Sequence, residues 1–488
     1  MQQTRSSPSR ILIIGAGPTG LGAGYRLREL GFDGFQLHEA LPYVGGLSHS
    51  FTDDQGFTWD IGGHVMFSHY AMFDRVFDEL MGQDFSWIER ESWVRMMSTW
   101  VPYPFQNNVR YLPREIAYEC LAGLLRAQTG QGKVKSHRDA RNFGEFIDAV
   151  FGEGIARHFM RPYNFKVWAH PPEMMNKQWI GERVAVLDFE RALRNVILER
   201  DDFGWGPNNR FKFPLRGTGD FYARFEPLLR QNLRLSSRVT AIDAQKRIAH
   251  FHDGTQKPYD ALVSTMPLDL LCTRVVTDAP ERVRRAASGL RHSGGHMVGI
   301  GIRRPCPSTK SWMYFPEDNC PFYRVTYLSN YSPLMTPDKE KHYSLLCETS
   351  VSDFKPVDGA SIVEETIRGL INAGMITQDE TRDIVSTWHY HAEYAYPTPS
   401  VERDEILSEV IPWLETHGIY SRGRFGMWKY EVANTDHSFM QGVEVVDRLL
   451  QGAPEKTIGV VYRVTEDGRH AADHERSSLA GSGQPTPR

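Results

Sequence analysis

The sequence predicts a mixed α/β fold: a Rossmann-like nucleotide domain that carries an inserted helical domain and an antiparallel sheet domain. Three observations predict it. A strand, glycine turn, helix and second strand open the chain between Ile11 and Glu39, the middle is dense in helix formers, and strand-like runs recur from Gly299 to about Ser400.

Taken in order, Ile11-Leu12-Ile13-Ile14 is the short apolar run of a buried parallel strand. From Gly20 to Gly31 a helix is expected, with Leu21, Tyr25, Leu27 and Leu30 on one face and Gly31 as its stop. Phe35 to Glu39 reads as the second strand. Between about Leu112 and Ile197, runs of long charged and apolar side chains predict helices. Alternating segments from Arg234 to Val263 predict a small sheet, and the segments from Gly299 to Ser400 a larger one. Apolar residues at helical spacing from Phe439 to Leu450 predict a half-buried helix that returns to the first domain.

Composition narrows the function classes. With 488 residues, 41% hydrophobic and 24% charged, the chain is long enough for several packed domains, and disorder or collagen is excluded for it as a whole. Fifty-six Lys and Arg against 60 Asp and Glu give a net charge of −4 without a basic block, so no nucleic-acid partner is expected. Cys120, Cys272, Cys306, Cys320 and Cys347 are far apart, which signals neither a disulfide framework nor a zinc site. The N-terminus has no apolar signal core, and no run approaches the roughly 20 apolar residues of a membrane span. A cytoplasmic protein without a membrane partner is the expectation.

Gly15, Gly17 and Gly20 form G-x-G-x-x-G between strand and helix, where backbone N–H groups and the helix dipole receive a pyrophosphate. Glu39 ends the next strand, where a carboxylate accepts from a ribose hydroxyl. On its own the motif is also compatible with a tight turn in an unrelated α/β sheet. Two further glycine pairs, Gly45-Gly46 and Gly62-Gly63 before His64, give extra backbone-lined approaches that favour FAD over a plain nicotinamide dinucleotide. For Gly62-Gly63 an ordinary turn stays open.

Longer motifs are more specific. The segments Tyr103–Asn108, Met160–Trp168, Gly181–Ala185, Tyr314–Arg324, Ser329–Pro333, Tyr396–Pro399, and Arg422–Gly426 with Asp436–Met440 resemble the UDP-galactopyranose mutase family, most closely its eukaryotic-type branch. The resemblance runs from about Ile11 to Gly452 in the same order.

It implies an isomerase that uses reduced FAD without net redox change, with NADPH or NADH as reductant. In that chemistry flavin N5 joins the anomeric carbon of a nucleotide sugar as the diphosphate leaves. The resulting flavin–sugar adduct recloses through another hydroxyl, which turns UDP-galactopyranose into UDP-galactofuranose. Arg183 and Arg324 match the family's diphosphate clamp, and Tyr331, Tyr396 and Tyr430 the hydroxyls that reach it. Arg424, Arg95 and Asn434 match positions around the sugar and flavin, and Gly46, Ser438 and Met440 fall among the expected cofactor contacts. His64 lies in the loop expected beside flavin N5. Tyr103, Phe105, Gln106, Phe159, Tyr163, Asn164, Trp168 and Tyr314 match the nucleoside pocket, and Asn208 a position near the pyrophosphate. Read without the resemblance, that aromatic set is a core.

Three departures stand out. Thr435 replaces an expected Gln, Gly217-Thr218-Gly219 is one glycine short in a segment expected near the flavin, and the chain between Pro333 and Tyr343 lacks an expected insertion. A homo-oligomer is left open, but the eukaryotic arrangement is not carried over. The same chemistry on a GDP-linked or deoxy sugar is the first alternative, and an amine-oxidase-type flavin oxidase the second. The expected organisation is an FAD-binding domain in three segments (8–110, 201–295 and 406–465), a helical substrate domain (111–200), an antiparallel sheet domain (296–405) and a disordered tail (466–488).

Overall fold

The structure is a computed structural model that describes residues 8–180, 188–202 and 209–460, with the backbone of Tyr462–Val464 and His470–Ala472. Those last two strands pair antiparallel. The rest of the tail assigned to 466–488 lies outside the described residues.

A five-stranded parallel sheet forms one body. Its order is Ile419–Ser421, Ala261–Ser264, Ile11–Ile14, Phe35–His38 and Leu233–Arg234. Ile11–Ile14 sits at its centre and is buried throughout, as a strand covered on both faces requires. The first helix spans Pro18–Glu29, with Pro18 in its first turn, and Gly31 at φ +68° turns the chain away. Ala261–Ser264, expected in the small sheet, instead pairs with Ile11–Ile14. All four of its residues are buried, so it is a two-sided core strand, and the small sheet keeps only Val239–Asp243, Ile248–Phe251 and Gln256–Pro258.

The helix expected from Phe439 begins earlier and spans Thr435–Gln451. It crosses Pro18–Glu29 so closely that only glycine fits. A Cβ on Gly442 would lie 1.9 Å from Thr19 O, and one on Gly22 would lie 2.3 Å from Phe439 O. This contact fixes the N-terminus of the late helix beside the glycine turn.

The second body is a seven-stranded sheet in the order Ile384–Pro397, His292–Ile302, Tyr343–Val351, Arg324–Tyr327, Trp312–Tyr314, Ser92–Met96 and Thr99–Pro102. It is antiparallel except where Trp312–Tyr314 runs parallel to Ser92–Met96. Two strands of this sheet thus come from the first hundred or so residues. Opposite Gly294 and Gly295 the register of Ile384–Pro397 jumps, so that Ser293 faces Tyr396 and Gly295 faces Ala392. The bulge bends the strand and re-aims its side chains. Tyr394 swings into the first body, where its hydroxyl donates to Asp269, and Tyr396 turns the other way.

The middle is helical, with Arg114–Gln128, Phe143–Ile155, Arg161–Trp168 and Phe189–Ile197. A π-helical turn, Ala156–Met160, joins two of these helices and carries Phe159. Such turns insert an extra residue and rotate the side chains after it, a frequent device at functional sites. Among the described residues no helix is long and apolar enough to cross a membrane, and the five cysteines are free thiols.

The helix crossing yields a test. Gly442→Ala overpacks a backbone contact that cannot yield without moving a helix. Chemical denaturation is expected to show a loss of about 1–3 kcal/mol, whereas Gly452→Ala, which meets no atom within 4 Å, probes only the left-handed φ of +71° at the helix end.

Candidate functional site

Between the parallel sheet, the large sheet and the helical part lies one cavity of about 800 Å³. Its first wall is the glycine turn. Gly15 has φ +98°, and a Cβ there would sit 2.1 Å from Thr265 Oγ1. Gly20 lies beneath the wall, packed so tightly on Gly15 O that a Cβ would approach to 1.8 Å. Gly17 differs: its φ is −74°, and a Cβ there would meet no protein atom within 4 Å. The Pro18–Glu29 helix has no acidic residue in its first turn and no side-chain cap, so its N-terminal amides face the cavity uncapped.

Glu39 is on this wall and buried. Its Oε2 accepts from Ala16 N at 2.7 Å and its Oε1 from Leu41 N at 2.9 Å. Burial raises its pKa against the opposing backbone hydrogen bonds. Gly46 and Ser48 continue the wall, as do Asn434, Thr435 and Ser438 at the N-terminus of the late helix. Asp436 accepts from the backbone N and Nδ1 of His69, tying the segment after the second glycine pair to that helix.

The opposite wall is organised by Glu348, which the sequence reading missed. It is buried and lies across from Arg324 on the neighbouring strand. Its carboxylate accepts four hydrogen bonds: from Arg324 Nε at 2.6 Å, Arg324 Nη2 at 2.7 Å, Tyr323 Oη at 2.8 Å and Gly63 N at 3.1 Å. Burial alone would raise the Glu348 pKa, but Arg324 and these hydrogen bonds outweigh it and hold the group below its ordinary value. Burial alone would lower the Arg324 pKa, but attraction to Glu348, the nearby Tyr396 and Tyr323 and the hydrogen bond to Glu348 together hold it well above its ordinary value. Glu348 takes the side edge of the guanidinium, so the Nη1–Nη2 edge is left to fork onto a second anion.

The Gly62-Gly63-His64 loop packs on this pair. A Cβ on Gly63 would lie 2.9 Å from Thr326 Oγ1 and 3.3 Å from Glu348 Oε1. His64 reaches the cavity, and burial, aided by Arg424 and Arg324 against Glu348, pushes its imidazole down to about 4. It is neutral at neutral pH, which removes it as a cationic acid there.

Arg424 lies over the rings of Tyr396 and Tyr430, at 5.0 and 5.3 Å. Its guanidinium donates to Ala395 O within the strand bulge and to Ala433 O. Tyr331 is wedged against Phe211 and Phe213 and sits on the same wall. At the far end, Phe159 and Tyr163 stack at 5.2 Å, one ring on each side of the π-helical turn's end. Tyr103, Gln106, Asn164, Trp168 and Tyr314 complete that end. Asn164 Nδ2 donates to Met160 O at 2.7 Å, so its Oδ1 is the atom left to accept.

Four expected contacts are off the wall. Gly20 and Met440 are packed below it, and Phe105 is a core residue stacked on Phe159 at 4.4 Å. Arg95 points elsewhere: it donates to Ala373 O and lies over Trp100 at 5.3 Å. A neighbouring cation, Arg90, is on the wall instead, over Tyr103 at 4.9 Å and Trp312 at 5.2 Å. In the Ser92–Met96 strand, alternation sends Arg95 to the other side of the sheet. The Gly217–Asp220 segment is also off the wall. It braces the second glycine pair from behind, with Thr218 N donating to Asp60 and Gly219 N to Ser50 Oγ. Arg183 and Asn208 lie outside the described residues. Trp179, also on the wall, has an Nε1 with no hydrogen-bond partner among the described residues.

These residues fit FAD. The open space at Gly17, the uncapped helix end and Thr326 Oγ1, buried without a partner among the described residues, form a polar cradle for a dinucleotide with a hydrogen-bonding ring system. Gly17→Ala therefore tests the cofactor and not the packing. Thermal stability of the flavin-free protein should stay unchanged, while flavin affinity falls about tenfold or more, ~1.4 kcal/mol or above. Bound-flavin absorbance at equal stability checks this.

Comparison with known proteins bears on the same residues. The family model described as flavin containing amine oxidoreductase matches residues 18–450. A crystal structure of reduced UDP-galactopyranose mutase superposes with a TM-score of 0.88 at 45% identity, covering 93% of this chain and 96% of that one. A CLA-producing fatty acid isomerase from P. acnes (TM-score 0.61, 18% identity, 91% and 99% covered) and putrescine oxidase (0.62, 14%, 90% and 98%) share the fold. That breadth of identity, across both sheets and the helical part that enclose the cavity, makes this chain a member of the UDP-galactopyranose mutase family, FAD-dependent isomerases among the flavin-containing amine oxidoreductases.

Proposed function

We propose that this protein interconverts UDP-galactopyranose and UDP-galactofuranose, with NADPH or NADH as the source of electrons for its flavin. The observation that carries the reading is Arg324: its side edge is fixed on Glu348, and its other edge is left to meet an anion in the cavity beside the second glycine pair.

Reduced FAD, when bound, supplies a nucleophile, N5, for the anomeric carbon of the sugar. The chain's own residues do the rest. Arg324 and, in this proposal, Arg183 hold the diphosphate as it departs and returns. A guanidinium held in place before the reaction stabilises charge as it develops on the leaving oxygen, without reorganising at that moment. Tyr331, Tyr396 and Tyr430 offer neutral hydroxyls around the same group, and Arg424 sets two of them through its position over their rings. Phe159 and Tyr163 present a stacked pair to the nucleoside, and Asn164 an amide oxygen for a base N–H.

Incubating dithionite-reduced protein with UDP-galactopyranose and separating the products by chromatography tests the reading. Furanose product that appears only with reduced flavin supports it; absence of furanose, with the oxidised protein in air instead consuming an added amine and releasing peroxide, replaces it by an oxidase. Arg324→Lys keeps a cation beside Glu348 but loses the fork. It is expected to lower kcat by about 2–3 kcal/mol, roughly 30- to 200-fold, with flavin content unchanged. Base preference is a separate test. UDP is expected to inhibit the reduced enzyme and GDP to do so at least about tenfold more weakly, because a purine leaves the pocket's polar edges unpaired. Equal inhibition moves the substrate to another nucleotide sugar.

A further inference from the structure

Tyr323 precedes Arg324 and is buried against the cavity, and beyond its hydrogen bond to Glu348 it has no role above. Its hydroxyl lies 2.8 Å from Glu348 Oε2 and 3.0 Å from Tyr396 Oη. A phenol has one proton. Glu348, ionised and already accepting from Arg324 and Gly63, can only accept, so the Tyr323 proton is committed to it. The contact between the two tyrosines then has one possible direction: Tyr396 donates and Tyr323 accepts. In this arrangement the Tyr396 proton is directed at Tyr323, and only the lone pairs of its oxygen are left for any other group in the cavity. A diphosphate oxygen also presents lone pairs. Tyr396 can serve such a ligand only after its O–H rotates off Tyr323.

We propose that Tyr323 is a positioning residue that, anchored on Glu348, holds the Tyr396 hydroxyl in an accepting orientation until an anionic group competes for its proton. The device rests on the proposed function, since the anion is the diphosphate of the nucleotide sugar. It makes donation by Tyr396 conditional on charge. A weakly charged ester oxygen competes poorly with Tyr323 for the proton, and the more highly charged leaving group competes well. The interaction is thus stronger after the bond to the sugar breaks than before, which is the condition for it to accelerate the reaction. No covalent bond changes; one hydrogen bond is exchanged for another.

The sign of one substitution separates this from a structural role. Tyr323→Phe keeps the ring and removes the competing acceptor, so Tyr396 gives its proton to the ligand at no cost. UDP affinity of the reduced protein, measured by fluorescence anisotropy or calorimetry, should rise about fivefold, the worth of one neutral hydrogen bond. The gain should vanish in a Tyr396→Phe background, and kcat should fall because the ground state is now favoured as well. A residue that merely fills space would leave affinity unchanged or lower it. Unchanged or weakened binding in Tyr323→Phe, or a gain that survives Tyr396→Phe, overturns the proposal. Should Tyr323→Phe fail to retain flavin, neutron diffraction on the exchanged wild-type protein decides. The Tyr396 deuteron should point at Tyr323 without ligand and at the diphosphate with UDP. A deuteron directed into the cavity without ligand overturns the proposal by itself. Failure of UDP to bind the wild-type protein overturns the proposed function instead, and with it the ligand-bound half of the device.

Discussion

The ion pair between Glu348 and Arg324 is the constraint on which the rest of the site depends. A buried pair is a poor source of net stability, because the desolvation of both ions offsets much of their attraction. Its value is geometric. The carboxylate fixes one edge of the Arg324 guanidinium, the hydroxyl of its neighbour Tyr323 and the amide of Gly63, so two parts of the cavity wall from distant stretches of sequence share one anchor. Breaking such a pair leaves an unmatched buried charge at a cost of about 3–5 kcal/mol, which is why its members cannot drift independently.

The two bodies of the fold serve that anchor differently. The parallel sheet and its glycine turn supply an uncapped helix end and open backbone, suited to a dinucleotide, and hold them by helix packing in which Gly22 and Gly442 bring two backbones together. The large sheet supplies charge and hydroxyls. Its cross-strand register sets Arg324 opposite Glu348, and the bulge opposite Gly294 and Gly295 turns Ala395 O toward Arg424 and Tyr396 toward the cavity. A chain with a net charge of only −4 thereby places Arg90, Arg324 and Arg424 around one cavity. The attraction for an anion is local and strong, with no need of a basic surface.

Much of this was legible in the sequence because it depends on local pattern. The glycine turn, Glu39 and the late helix follow from spacing. The long motifs named Arg324, Tyr331, Tyr396, Tyr430, Tyr103, Gln106, Phe159, Tyr163, Asn164, Trp168 and Tyr314, and all of these line the one cavity. What escaped depends on register and depth. Glu348 sits in a buried strand, Tyr343–Val351, with nothing beside it in sequence to mark it as the partner of Arg324. Arg95 lies within the Ser92–Met96 strand, whose alternation turns it from the cavity, and Arg90 lies in the link before that strand, where its place over Tyr103 and Trp312 is set by the fold and not by a sequence pattern. Phe105 and Met440 belong to motifs whose neighbours touch the cavity, and burial set them one layer back. Ala261–Ser264 follows an alternating segment so closely that pattern alone joins the two, and only its four consecutive buried positions mark it as a two-sided strand.

The most direct measurement is a crystal structure of the reduced protein with UDP. The account predicts the diphosphate on the Nη1–Nη2 edge of Arg324, with Nε and the other side of Nη2 still on Glu348 and the pyrimidine beside Phe159 and Tyr163. A diphosphate bound away from Arg324, or an Arg324 that abandons Glu348 to reach it, would contradict the claim that this buried pair is what holds the site in working order.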